Sequence, residues 1–591
     1  MNTNRKEQRT IVDAVLSYAS ATPDRLAFRF LGDGDVATER LNYCDLDARC
    51  RAIAACLQRA DLIGERVLLC FEPGLSFVCA FLGSLYAGAV PVPVAVPRTN
   101  RSVGRLRSIV LDCNPRLAIT SRSQHRRWES LLEAVPELRS ITCLIADDMD
   151  AMAAGWDSAR PEPSALAFLQ YTSGSISAPK GVAVTHANIV TNQEQIKAAF
   201  GHDDSTIFVG WLPLFHDMGL IGNILQPLYL GIECTLLPPL AFIQKPIRWL
   251  RAISDYKGTT SGAPNFAYDH CVSRIEQTDL AGMDLSSWRV AFNGAEPVRA
   301  ETIRSFSQAF APAGFSAETF YPCYGLAEAT LFVCGDVPGD APVVLQADAS
   351  AIESGKFRHA SGEGSSREFV SSGIIRADQQ IRIVDPSTLQ EMPGGEIGEI
   401  WVAGENVAPG YWNRVVESSS TFAASLENTG SLRFLRTGDL GFVHNGRLFV
   451  AGRLKDLIII RGRNLYPQDI EWTVSHTHKF LVPNRCAAFS VEEAGEEQVV
   501  VVQEVKRKPS TPLVLSEVVT DIHSAVVEHH DVALSTICLV GPGGVPFTSS
   551  GKVRRAHCRR LFLDGELPVI GDNWNRHTMH KPNFISSRTE I

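Results

Sequence analysis

Helical and strand-like hydrophobic patterns alternate along most of the chain. The helical period predicts a helix over Tyr43–Gln58, followed by a strand at Arg66–Phe71. It returns over Val103–Asp112 and gives way to a strand at Leu117–Thr120. Such alternation marks βαβ units with parallel sheets, so the predicted class is α/β. Near the start, Ile11, Val12, Val15, Leu16 and Tyr18 recur at helical spacing behind the polar stretch MNTNRKEQRT. That predicts a surface helix and no signal peptide. Gly74–Val96 carries no charged residue and is long enough to span a bilayer. Pro91 and Pro93 break it, and Gly83, Ala87 and Gly88 dilute it. The expectation is therefore a buried helix, about Leu75–Tyr86, then a buried strand, Val90–Val96, with no membrane insertion.

From Ile381 the pattern shortens into strands with tight turns. IRIVD, PGGEIGEIWVAG and RLFVAGR predict a β-rich subdomain. A further βα pattern runs from Leu457 to about Leu563. The expected architecture is a large N-terminal domain, 1–453, of parallel-rich α/β subdomains plus a β-rich subdomain. A small mobile α+β domain, 454–591, follows. The Ser-, Gly- and charge-rich segment Ser350–Gly373 is predicted as a long inserted loop. The polar C-terminal tail carries no motif and is expected to be partly disordered.

Composition changes this picture little. The 591 residues are 45% hydrophobic and 20% charged, enough for a large core. A net charge of -9 weighs against a nucleic-acid binder, which normally presents a basic face. The 14 cysteines are scattered without a CxxC pair, which argues against a zinc site or a thioredoxin-type motif. Cys44 with Cys50, or Cys323 with Cys334, are spaced to pair. Buried free thiols in the cytoplasm are the expected state.

The strongest chemical signal is YTSGSISAPKGV, Tyr171–Val182, preceded by the apolar run Ala165–Leu169. A strand delivers a Ser/Thr/Gly loop that ends in lysine. Glycines such as Gly174 let backbone N–H groups approach phosphate oxygens. The hydroxyls of Thr172, Ser173 and Ser175 add donors, and Lys180 adds a mobile positive charge. The spacing is not that of Walker A, because Lys180 follows Gly174 by six residues and no Ser or Thr comes next. Further motifs follow: WLPLFHDMGLIG at Trp211–Gly222, FNGAEPV at Phe292–Val298, YPCYGLAEAT at Tyr321–Thr330, RTGDLGF at Arg436–Phe442, GRLKDLIIIRGRNLYPQDIE at Gly452–Glu471 and TSSGKVRR at Thr548–Arg555.

In this order, the motifs resemble those of the adenylate-forming superfamily, which includes acyl-CoA synthetases, luciferases and peptide-synthetase adenylation domains. One departure is visible: the family usually has Thr-Gly where this chain has Ile176-Ser177, and Ile176 has no side-chain hydrogen-bond donor for a phosphate. The resemblance implies ATP as substrate and a carboxylate that attacks its α-phosphorus. That carboxylate is already ionised near neutral pH, so no general base is needed. The obstacle is an anion approaching a polyanion. Fixed positive charge and in-line positioning must overcome it.

Roles carried over by the resemblance follow motif by motif. Lys552 bridges the acyl carboxylate and the α-phosphate, and Glu328 ligates Mg²⁺. Tyr324 stacks on the adenine, with the backbone of Gly294, Ala295 and Glu296 opposite and Gly325 and Leu326 beside it. Asp439 accepts hydrogen bonds from the ribose hydroxyls, and Arg453 reaches ribose or phosphate. His216 lies beside the acyl carboxylate. Lys455 matches the family's hinge. Trp211, Asp217, Met218, Gly219, Ile221 and Gly222 belong to the acyl-binding motif. The apolar side chains there suit an alkyl tail and suit core packing equally.

Among the branches, amino-acid-activating domains carry an aspartate directly after the motif phenylalanine. This chain has Phe215-His216, with Asp217 one place late. The chain resembles fatty acyl-AMP ligases over nearly its full length, in FLGDG, PGLSFVCAFLGSLYAGAVPVPV, GENVAPGYW and IIIRGRNLYPQDIE. Lys356–Gly373 falls where these ligases carry an insertion that CoA-dependent relatives lack. The implied function is activation of a fatty acid for an acyl carrier protein. The chain after Lys552 is too short for a carrier domain, so the carrier is expected as a separate chain. The alternatives are a fatty acyl-CoA synthetase and a non-catalytic nucleotide- or lipid-binding protein.

Overall fold

The computed structural model describes residues 9–97, 100–149, 155–172, 179–361, 365–427, 429–493, 496–506, 512–548 and 551–570. The C-terminal tail beyond 570, read as partly disordered, lies outside them. The chain divides into two compact units, Met1–Ala451 and Gly452–Ile591.

In the first unit the described strands build two stacked-helix α/β sheets and a β-rich sheet. The larger is eight-stranded, in the order Phe332–Gly335, Phe320–Gly325, Val290–Asn293, Thr260–Gly262, Phe208–Gly210, Cys234–Leu236, Leu26–Leu31, Ala37–Asn42. Its interior pairs are parallel and its two outermost pairs antiparallel. The second sheet is four-stranded and wholly parallel, in the order Val90–Val94, Arg66–Cys70, Leu117–Thr120, Thr142–Ile145.

The helix Leu75–Tyr86 is buried along nearly its whole surface, and Val90–Val94 is buried throughout. The strand ends at Val94, two residues before the expected end. Pro91 and Pro93 are tolerated because this is the edge strand, where alternate N–H groups face away from the ladder. The first helix, Ile11–Ala21, begins at a capping box in which Thr10 and Asp13 exchange hydrogen bonds. It buries Ile11, Val12, Ala14 and Val15. All 14 cysteines are free thiols, so neither sequence-spaced pair is joined.

The β-rich sheet orders Gln380–Val384, Gly398–Ala403, Leu435–His444 and Arg447–Arg453. The segment expected as a long inserted loop is structured over most of its described length, which corrects the sequence reading. The helix Ala349–Glu353 opens it, and strand Ser366–Val370 pairs antiparallel with Val344–Asp348. Phe357 stacks on Phe442 at 4.8 Å, and Phe442 on Phe449 at 5.1 Å. Lys356 pairs with Glu396, and Glu368 with Arg304 on the helix Ala300–Phe310. A few aromatic and charged anchors order a stretch whose Ser/Gly content suggested none.

The second unit has a three-stranded sheet, Leu481–Glu493, Glu496–Val505 and Leu534–Val540, with one antiparallel and one parallel pairing. Helices Pro467–His476, Pro512–His530 and Arg555–Leu563 cover it. Val501, Ile522 and Leu539 lie at its core, fully buried. This is the α+β arrangement expected from the sequence.

Candidate functional site

In the first unit, the expected motifs follow the C-terminal ends of parallel strands. Phe208–Gly210 runs into Trp211–Gly222, Val290–Asn293 into Gly294–Glu296, and Phe320–Gly325 into Leu326–Thr330. In open parallel sheets these ends form the ligand edge. Asn293 pairs with Pro322, so two of the three segments leave the sheet side by side. The turns are tight. A Cβ on Gly325 would lie 1.8 Å from the Leu331 carbonyl oxygen, and one on Gly219 would lie 2.1 Å from that of Pro213. Ala295 and Thr330 both hold positive φ, at 73° and 67°. Non-glycine residues pay for that conformation with local strain, which surrounding bonds must hold in place. At Thr330 its hydroxyl donates to the Asn406 carbonyl at 2.6 Å, and Asn406 Nδ2 donates to the carbonyls of Ala329 and Phe332.

The phosphate-loop candidate is the connection of the hairpin Leu166–Tyr171/Gly181–Thr185. Thr172 N–H donates to the Lys180 carbonyl at 3.2 Å and closes its neck. Ser173, Gly174, Ser175, Ile176 and Ser177 lie outside the described residues. Lys180 Nζ sits 3.2 Å from Glu417 Oε2 and 4.9 Å from the centre of the Tyr411 ring. Tyr411 in turn donates its hydroxyl to Glu328 Oε1 at 2.9 Å. The structure thus joins Lys180 to Glu328 through one tyrosine. Burial, then Glu328, pushes the Tyr411 phenol well above its ordinary pKa, so it remains a donor. The segment carrying Tyr411 is fixed by backbone bonds from Ala183 N–H to Gly410 and from Trp412 N–H to Gly181. Its upstream end is bonded by Ala408 N–H to the Glu328 carbonyl.

Tyr324 and Asp439 meet directly, the tyrosine hydroxyl donating to Asp439 Oδ2 at 2.8 Å. This bond ties the large α/β sheet to the β-rich sheet. Burial, then the Asp439 carboxylate, raises the Tyr324 pKa well above its usual value. Asp439 N–H is held by Thr437 Oγ1 at 3.1 Å, and that hydroxyl donates to the Ile400 carbonyl. One carboxylate oxygen therefore faces tyrosine in a turn held by the Thr437 hydroxyl. Glu296 lies in the turn after Val290–Asn293, and its buried Oε1 accepts no hydrogen bond. An orphaned buried carboxylate oxygen at a ligand edge is a group waiting for a donor.

His216 Nδ1 lies 2.5 Å from Asp217 Oδ1, and Asp217 also accepts the Met218 N–H at 2.7 Å. Gln170 Nε2 donates to the Phe215 carbonyl at 3.0 Å, bringing the hairpin beside this histidine. Met218–Leu225 forms a π-helix, a widened turn often found at functional sites. A Cβ added on Gly222 would make only ordinary van der Waals contact with Leu331. Ile221 is fully buried, and Trp211 stacks on Phe242 at 3.9 Å within an aromatic core. Core packing accounts for both side chains as they stand.

Arg453, Lys455 and Lys552 belong to the second unit. Arg453 and Lys455 flank Leu454 and are exposed. Lys552 closes a tight turn: its N–H donates to Thr548 Oγ1 at 2.9 Å, and Thr548 N–H donates to the Lys552 carbonyl at 2.7 Å. Three residues on, Arg555 grips Glu471 through two bonds of 2.7 Å and Asp456 through one of 2.8 Å. Burial alone would lower the Arg555 pKa, but Glu471 and Asp456 raise it above the arginine value. This triad ties the lysine turn to the segment just after Lys455. Sequence reasoning quoted Arg555 and Tyr411 inside motifs but gave neither a role, and it missed Glu417. Only the spatial contacts single them out.

The AMP-binding enzyme family matches residues 17–412, and the Disco-interacting protein 2-like AMP domain matches residues 455–572. The medium-chain-fatty-acid–[acyl-carrier-protein] ligase JamA of Moorena producens is 42% identical over 579 residues, covering 97% of both chains. The long-chain-fatty-acid–AMP ligase FadD32 of Mycolicibacterium smegmatis is 35% identical, covering 94% of this chain and 95% of its own. A fatty acyl-adenylate ligase from L. pneumophila, solved with acyl adenylate and pyrophosphate, superposes with a TM-score of 0.76 at 40% identity. That superposition covers 96% of this chain and 98% of the other.

Proposed function

The chain belongs to the AMP-binding enzyme family, and from that premise we propose that it activates a fatty acid as its acyl-adenylate and delivers it to an acyl carrier protein. The observation that carries the reading is the joined set at the strand ends. Lys180 at the neck of the phosphate hairpin is linked through Tyr411 to Glu328, and Tyr324 is linked to Asp439. The full-length likeness to ligases named for these substrates and this acceptor supports it.

In the proposed reaction a fatty-acid carboxylate oxygen forms a bond to the α-phosphorus of ATP. The bond to the bridging oxygen of the β-phosphate breaks, and pyrophosphate leaves with the electron pair. Lys180 and the hairpin N–H groups hold phosphate oxygens. Tyr324 and Asp439 take the adenosine, with the Gly294–Glu296 turn on the other side of the base. His216, kept in orientation by Asp217, meets the incoming carboxylate. Lys552 is assigned the ammonium that offsets charge gathering on the α-phosphate, and Arg453 a ribose or phosphate contact. Lys455 is assigned the hinge, three residues after the second unit begins at Gly452.

Mg²⁺ fits the donor chemistry. Glu328 offers one oriented carboxylate, and no group of three metal-ligating side chains occurs among the described residues. Mg²⁺ is commonly held this way, by one or two carboxylates plus phosphates and water. When bound there, it would neutralise phosphate charge. A cytoplasmic location is part of the same proposal, supported by the free cysteines. No helix among the described residues is long and apolar enough to cross a membrane.

The test is incubation with α-labelled ATP, Mg²⁺ and dodecanoate, with and without CoA, and with a phosphopantetheinylated carrier protein. Acyl-AMP that persists beside CoA and is consumed by the carrier supports the proposal. Acyl-CoA with free AMP makes the protein a CoA synthetase instead. Neither product refutes turnover of this acid.

A further inference from the structure

Lys180 is ion-paired within the chain. Its Nζ lies 3.2 Å from Glu417 Oε2, and the two side chains are 23% and 44% exposed. Glu417 Oε2 is shielded from solvent, yet it accepts no hydrogen bond. It is held by charge alone, with Arg414 Nη1 also near, at 3.8 Å. Arg414 is in turn neutralised by Asp112, Nη2 to Oδ1 at 2.9 Å. The result is a ladder of alternating charge, Lys180, Glu417, Arg414, Asp112. Its far end is attached to the hairpin, because Tyr171 donates its hydroxyl to Asp112 Oδ2 at 2.6 Å.

We infer that Glu417 is a carboxylate stand-in for nucleotide phosphate: it parks the Lys180 ammonium until a phosphate oxygen displaces it, and so sets the apparent affinity for ATP. This rests on the reading of Lys180 as a phosphate ligand. Three features make the exchange easy. A contact without hydrogen-bond geometry is weaker than the charge-assisted bonds a phosphate oxygen accepts. Arg414 stays beside Glu417, so departure of Lys180 strands no bare carboxylate. Glu417 also sits in the first turn of the helix Val415–Phe422, where a negative charge is favoured. Ser418 fixes the arrangement, accepting the Tyr411 N–H at 2.9 Å and donating to the Arg414 carbonyl at 2.6 Å. Glu417 is therefore a positioning residue that acts through Lys180.

The experiment uses the full chain, wild type and the variants Glu417→Gln, Lys180→Met and the double substitution. ATP binding with Mg²⁺ is measured by calorimetry without fatty acid. KM and kcat for ATP are measured with dodecanoate, and thermal midpoints verify folding. Glu417→Gln is expected to tighten ATP binding and lower KM by about two- to fivefold, as removal of a partly exposed competing ion pair should. The change in KM should exceed that in kcat, and it should vanish in the Lys180→Met background. Unchanged or weaker ATP binding in Glu417→Gln, with Lys180→Met clearly weakened, overturns the exchange but leaves Lys180 a phosphate ligand. A gain that persists in the double variant also overturns it, because the effect would not pass through Lys180. Unchanged ATP binding in Lys180→Met refutes the underlying phosphate reading.

Discussion

Replacing Tyr411 with Phe removes one hydroxyl and leaves the ring beside Lys180 in place. The lost bond runs 2.9 Å to Glu328 Oε1, the oxygen donor proposed for Mg²⁺. The phenol is held well above its ordinary pKa by burial and by Glu328, so it donates throughout the working pH range. A hydrogen bond to a charged group contributes about 1.5–3 kcal/mol. If Glu328 must keep this orientation only in the transition state, the whole amount falls on kcat. One factor of ten corresponds to about 1.4 kcal/mol, so kcat should drop about ten- to a hundredfold. The assay is ATP–pyrophosphate exchange with dodecanoate across a Mg²⁺ series, on Tyr411→Phe, Glu328→Gln and the double variant. Residues acting through one another are non-additive, so Tyr411→Phe should add little once Glu328 is Gln. Activity within about twofold of wild type, or full additivity in the double variant, would refute the link.

Lys552→Ala should abolish adenylate formation while ATP binding by calorimetry stays largely intact; normal activity would remove its catalytic assignment. Arg555→Ala leaves the Glu471 and Asp456 carboxylates, both largely buried, without their cation, and should destabilise the second unit by about 3–5 kcal/mol in denaturant unfolding. His202 is buried against Gln226 and Thr260, and burial, then Arg289, lowers its pKa from 6.5 to about 3. The unfolded chain therefore takes up a proton that the folded chain refuses, so the stability present above pH 6.5 is lost as pH falls toward 3. His202→Gln should remove about 3 kcal/mol of the loss between pH 6.5 and 4, read from urea midpoints at the two pH values.

Element type was legible wherever the hydrophobic period was long or bounded. Leu75–Tyr86 and Leu117–Thr120 match the expected bounds, and Tyr43–Arg59 differs by one residue. The period failed where order comes from a few distant anchors. Nothing local to Lys356–Gly373 announces that Phe357 stacks on Phe442 or that Glu368 pairs with Arg304, partners far away in the chain. The π-helix at Met218–Leu225 was equally hidden, because a widened turn leaves the apolar pattern helical.

The sequence by itself determined the chemistry on offer. A Ser/Thr/Gly loop ending in Lys180, a carboxylate at Glu328 and another at Asp439 are read directly from residue type and order. It also determined the alternation of βα units that makes the parallel sheets. The tertiary structure alone decided which of these groups come together. Tyr411 and Glu417 come from segments more than two hundred residues after Lys180, and they acquire meaning only when folding brings them to its ammonium. The same holds for Tyr324 and Asp439, which join two sheets. The reason is physical: local periodicity is set by which face of one element is buried. Charge pairing and hydrogen bonding act only across a few ångströms of space, whatever the separation along the chain.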